Sequence, residues 1–163
     1  MRALFACGVL VLLTGAASAQ WEGVAAGTRA ALSPQEVAKA QRNYMLHCMG
    51  CHLSDGRGAA DKGVFDMRDT LGRFLALPGG RAFIVQVPGV MNSGLSDLET
   101  AQLMNWLLST ISHATVPPGT SPYVAEEIAQ YRRTRPVDIT ASRRLLIEKM
   151  NASGAPVAGA AVN

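Results

Sequence analysis

Cys48-Met49-Gly50-Cys51-His52 gathers two of the chain's three cysteines and one of its three histidines into five residues. Two thiols spaced by two residues share one turn and reach the same edge of a flat ligand, and the next residue lies beneath it with an imidazole to offer. Gly50 lets the turn close without a Cβ in the way. The C-x-x-C-H pattern is that of covalent c-type haem attachment, in which two thiols bond the vinyl groups of a porphyrin and the histidine binds its iron. One covalently held haem c, attached through Cys48 and Cys51 with His52 as proximal iron ligand, is therefore the expected cofactor.

Two other uses of such a pair are a redox dithiol and half of a zinc site. Zinc needs a second pair of Cys or His at a recognisable spacing, and His47 and His113 do not make one. A thioredoxin-like dithiol needs a βαβ setting, whereas the residues before Cys48 read as helical. For the sixth position on the iron, a soft thioether is the first choice. Met45 and Met49 are too close to the attachment turn, Met104 falls in a predicted helix as a core residue, and Met150 is in the tail region. Met91 stands in Val87-Pro88-Gly89-Val90-Met91-Asn92-Ser93-Gly94, 39 residues after His52, where an extended, turn-rich loop is expected. It is the leading distal ligand; Met67, His113 and an open five-coordinate iron are the alternatives.

Upstream of the motif, Ser33-Pro34-Gln35-Glu36 has the form of a capping box with proline at the first helical position. Val37, Ala40, Tyr44 and Cys48 then recur at helical spacing, so the face that packs on the core also delivers the first thiol. Further back, Arg2 precedes an uncharged run from Ala3 to Leu13 and then Ala17-Ser18-Ala19, the layout of a secretory signal peptide over residues 1–19 cleaved after Ala19. The run is short of the roughly 20 apolar residues that a spanning helix needs. The expectation is an exported, periplasmic protein with no transmembrane segment in the mature chain, beginning with an N-terminal segment over 20–32. Cys7 leaves with the signal. The formal charge of +3 drops by one with Arg2, an excess too small to argue for nucleic acid or a membrane surface as partner.

Downstream, Leu53 to Gly63 reads as a glycine-rich loop and Asp69 to Leu77 as short helix or irregular chain. Pro78-Gly79-Gly80 breaks the chain, and Arg81 to Val87 suits helix or extended chain equally. Ser96-Asp97-Leu98-Glu99 is a second capping box that opens a helix reaching Ile111, with Trp106 in the core. Pro117-Pro118-Gly119 marks a linker. A helical extension over 113–150 follows, with one helix starting at Ser121-Pro122 and carrying Val124, Ile128 and Tyr131 on one face. A second helix, capped by Asp138 or Thr140, runs to Met150. Arg132, Arg133, Arg135, Arg143 and Arg144 make the extension basic, as a solvated face or a docking patch for an acidic partner. Residues 151–163 lack any period and are expected to be a disordered tail. The fold class is all-α.

Over residues 33–112 this order of features resembles the class I c-type cytochromes, the single-haem family related to mitochondrial cytochrome c. In that family an aromatic stands four residues before the first cysteine, as Tyr44 does. A small residue eight before it lets a C-terminal helix cross closely, where Ala40 stands in place of the usual glycine and Trp106 matches the packed aromatic. The distal methionine lies just ahead of that helix, as Met91 does. The resemblance implies the cytochrome c fold, N- and C-terminal helices packed around one covalent haem, with a C-terminal helical extension that is similar to a subgroup of bacterial dehydrogenase-linked cytochromes. It departs from the family at the proline that many relatives place about a dozen residues after the ligating histidine, so the hydrogen-bond partner of His52 is unassigned. The implied role is a carrier of single electrons between a periplasmic dehydrogenase and a terminal oxidase or another cytochrome, rather than an enzyme. A fixed subunit of a dehydrogenase complex and a haem enzyme or gas sensor are the alternatives. Arg73 and Arg81 are candidate partners for haem propionates.

Overall fold

The computed structural model describes residues 32–154. The expected signal peptide, the N-terminal segment apart from Leu32, and residues 155–163 of the tail lie outside the described residues. The order along the chain is α1 (Pro34–His47), α2 (Met49–His52), α3 (Met67–Phe74), α4 (Gly80–Gln86), α5 (Pro88–Met91), α6 (Asp97–Trp106), α7 (Ala125–Arg133) and α8 (Ile139–Ala152). Helix makes up 66% of the described residues and no strand occurs among them, so the class is all-α. No helix of the described residues is long and apolar enough to cross a membrane.

Both expected capping boxes form. Ser33 Oγ accepts the Glu36 N–H at 3.3 Å while the Glu36 carboxylate accepts the Ser33 N–H at 2.8 Å, and Ser96 and Glu99 repeat the exchange at 3.3 and 2.9 Å. The same two carboxylates then join the helices they open: Gln102 of α6 donates to Glu36 at 3.0 Å, and Lys39 of α1 lies 3.1 Å from Glu99. At the crossing of α1 and α6, Ala40 is fully buried and the rings of Tyr44 and Trp106 meet at 5.4 Å, tilted by 54°. A small residue at position 40 allows that approach, and a larger one would hold the helices apart.

Where the sequence left helix and extended chain equally open, packing chose helix. Phe83, Ile84 and Val85 are all buried in α4, and Phe74 stacks against Phe83 at 5.1 Å. Gly80 makes this possible, because a Cβ there would lie 1.8 Å from the Phe74 carbonyl oxygen. The stretch around Met91 is not the extended loop expected. Pro88 pre-sets the first helical position, and the N–H groups of Val90 and Met91 both donate to the Val87 carbonyl at 3.0 Å, closing the single turn of α5. Beyond Trp106 the helix widens to a π turn over Leu107–Ile111, so it reaches the expected residue with a changed pitch.

The extension folds back on the rest. Its first helix starts later than Ser121-Pro122, because Tyr123 exchanges two hydrogen bonds with the Asn105 side chain, at 2.7 and 2.9 Å, and is held extended. Val124 therefore serves as the cap of α7 and is exposed, while Ile128 is fully buried. Asp138 caps α8 through the Ala141 N–H at 2.8 Å, and the helix continues two residues past Met150. Arg81 is the main link. It forks onto Glu127 at 2.5 and 2.7 Å, donates to the carbonyls of Ser121 and Pro122, and lies 3.8 Å over the Tyr123 ring.

Candidate functional site

α1 ends where the motif begins. The Cys48 N–H still donates to Tyr44 O at 2.9 Å, and the His52 N–H donates to Cys48 O at 2.9 Å, so the five residues form one continuous turn off the helix. Leu53 ends it at φ +59°. Tyr44, locked against Trp106, donates its hydroxyl to the Leu53 carbonyl at 2.6 Å, which ties the turn to the α1–α6 crossing. Burial, then the neighbouring Cys48 and Asp55, pushes the Tyr44 hydroxyl up to about 12, so it stays a donor at neutral pH.

Cys48, Cys51 and His52 all line one cavity of about 460 Å³. Its walls are mostly apolar: Phe65, Met67, Leu71 and Phe74 from the α3 region, Phe83, Ile84 and Val87 from α4 and its end, Leu103 and Met104 from α6, and Leu107 from the π turn after it. A concave, apolar space of a few hundred cubic ångströms with a few convergent polar groups suits a flat organic cofactor. Both cysteines are free thiols, Cys48 half-buried and Cys51 exposed.

His52 is half-buried, and its Nδ1 is buried without a hydrogen-bond partner. Burial lowers its pKa, partly offset by the Phe65 backbone carbonyl, which acts on the ring without completing a bond to Nδ1. The neutral imidazole is the form that ligates a metal. Phe65 stands 13 residues after His52, where the expected proline is missing. Gly58 permits the approach of that backbone: its φ is +67° and a Cβ there would sit 2.3 Å from the Phe65 oxygen. Burial, and then Cys51, pushes the Cys48 thiol up to about 11. That is the reverse of the depressed pKa a nucleophilic dithiol requires.

Three of the four expected site residues thus share one cavity and the fourth stands off it. Pro88, Gly89 and Val90 of α5 line the space, but Met91 is not among the lining side chains. The methionines that do line it are Met67 and Met104, both buried. The Met67 N–H donates to Gly56 O at 2.8 Å, which fastens the start of α3 to the loop that follows His52. His113 is exposed and lines a separate crevice of about 430 Å³ beside Trp106 and Pro117. Arg73 and Arg81 do not line the cavity. Arg73 donates to the Asp69 carbonyl of its own helix, and Arg81 is committed to Glu127. Arg132 also turns inward, to the Leu95 carbonyl at 2.7 Å and Thr100 Oγ1 at 2.9 Å, which leaves Arg133, Arg135 and Arg144 as the exposed part of the basic set.

The most distant of the cavity residues that sequence reasoning did not assign are Ile139, Thr140 and Arg143 of α8. Only the return of the extension brings them there, and no local pattern signals it. Among the described residues no group of three or more His, Cys, Asp or Glu gathers as a cation site. Comparison of the chain with family models, with curated proteins and with solved structures returns no match.

Proposed function

We propose that this chain is a mono-haem c-type cytochrome of the class I kind, exported to the periplasm, where it carries single electrons from a dehydrogenase to a terminal oxidase or another cytochrome. The observation that carries the reading is the convergence of two free thiols and a half-buried imidazole on one apolar cavity of about 460 Å³. In this reading Cys48 and Cys51 hold the porphyrin edge, His52 ligates the iron, and the Phe65 carbonyl orients the imidazole. The bound haem supplies one-electron exchange between ferric and ferrous iron. The α1–α6 crossing at Ala40, Tyr44 and Trp106 supports the likeness to the class I fold.

The chain's own part is to keep water from the iron and to leave one edge accessible. Phe74, Phe83, Leu103 and Met104 are nearly wholly buried around the cavity. At the attachment turn, by contrast, Cys51 is exposed, as are Met49 at 36% and Leu53 at 42%. Such a rim suits the small, short-lived interfaces of electron transfer. A second reading, a haem protein whose sixth position is open to a diatomic ligand, is favoured by Met91 standing off the cavity. The test of haem attachment is the denatured mass of the exported protein from cells competent in haem maturation. The polypeptide should be heavier by one haem; a bare-polypeptide mass overturns the proposal.

A further inference from the structure

Arg143 differs from the chain's other inward-turned arginines in having no countercharge. Arg81 has Glu127 and Arg132 has Asp97. No carboxylate among the described residues lies within ion-pair distance of Arg143. Its guanidinium carbon sits 4.1 Å over the Phe65 ring, and its remaining contact is the Gly63 carbonyl at 3.4 Å. Phe65, Gly63 and Arg143 all line the cavity that Cys48, Cys51 and His52 share, as do Ile139 and Thr140 one turn earlier on α8. Burial disfavours the charge on Arg143, and only a ring face and one carbonyl stand against that cost. A half-buried cation facing an apolar space is costly unless an anion meets it, and a guanidinium fork matches the two oxygens of a carboxylate.

We propose that Arg143 is the anion-binding residue of the cavity and pairs with a carboxylate of the bound tetrapyrrole, a proposal that rests on the haem reading above. The extension is then part of the cofactor site, because α8 supplies the charge that neutralises the ligand's carboxylate. Arg143, and not Arg73 or Arg81, fills the propionate-partner role.

The test is potentiometric titration at pH 7 of the exported, haem-loaded protein, with the denatured mass taken alongside. In Arg143→Gln the unmasked carboxylate stabilises the more positive ferric centre. The ferric-to-ferrous equilibrium should therefore move toward ferric several-fold, up to tenfold, which is about 59 mV for a one-electron couple. Arg143→Lys should recover most of the shift. Arg144→Gln, the exposed neighbour on the same helix, should titrate with the parent protein. Arg143→Met keeps the apolar stem over Phe65 and should show the same shift where the glutamine variant does not accumulate. Unchanged potentials in Arg143→Gln or Arg143→Met with haem attached, or an equal shift in Arg144→Gln, overturn the proposal and leave the haem reading standing. A parent protein whose mass is that of bare polypeptide overturns both.

Discussion

His52 and Met91 show how differently two candidate ligand residues can be determined. His52 follows Cys51 directly, so in the proposed haem site its place under a porphyrin bonded to the two thiols would be set by covalent geometry. Met91 is separated from the motif by α3 and α4, and its side chain turns wherever the α5 turn sends it. Three residues of that turn line the cavity, which leaves Met91 next to it along the chain. The expected outcome is a weak sulfur-to-iron charge-transfer band in the far red of the oxidised protein, lost in Met91→Ala. A band that survives assigns the ligand to Met67 or Met104. Its absence from the parent protein, with rapid carbon monoxide binding on reduction, establishes the open site. Phe65 illustrates the opposite case of a residue with no signal. The proposed partner of the imidazole there is a backbone carbonyl, every residue type supplies one, and the absence of proline removed the only mark that sequence reading had.

At the scale of elements, the helices that were readable are those whose determinants are local. The capping boxes at Ser33 and Ser96 bring donor and acceptor together within four residues, so nothing distant is needed to form them. Ser96→Ala should cost about 1 kcal/mol at neutral pH in urea titration, the usual loss of a serine cap. Its pH dependence follows from Glu99. The Ser96 hydroxyl, then its backbone N–H and Lys39, hold the Glu99 carboxyl down from 4.5 to about 2. A depressed carboxylate adds stability above its ordinary pKa that is lost as pH falls through the folded value. The gap between parent and Ser96→Ala should therefore be widest above about pH 4.5 and narrow toward pH 2. A gap constant over that window would show that the Ser96–Glu99 contact contributes nothing. The element left undecided, α4, and the one expected as extended loop, α5, have no side-chain cap of this kind. α4 follows Gly79, with no side-chain cap, and is held by burial of Phe83, Ile84 and Val85, with Phe83 against Phe74 of α3.

At the scale of the molecule, the extension after Pro117 is built into the body. Ile128, Ile147 and Met150 are each at most 1% exposed, and Gln86 of α4 donates to Tyr131 O at 2.8 Å. Ile128→Ala should lower stability by about 2–5 kcal/mol, the range for emptying a filled core site, in a single urea transition. A change under 1 kcal/mol, or a separate early transition, would mean the extension is only loosely attached. The sequence by itself determined the all-α class, the starts of the two capped helices at Ser33 and Ser96, and the joint placement of Cys48, Cys51 and His52, because each depends on contacts within a few residues or on a repeat along one helix. The crossing of those helices at Ala40 and Trp106 was implied only by the resemblance to the class I cytochromes. The tertiary structure alone decided that α4 and α5 are helices, that Met91 stands off the cavity, that Arg81 serves Glu127, and that Arg143 faces the cavity. Those outcomes depend on which surfaces meet between separate elements, as far as eighty residues apart at Arg143, where burial and countercharge decide and no local pattern specified them.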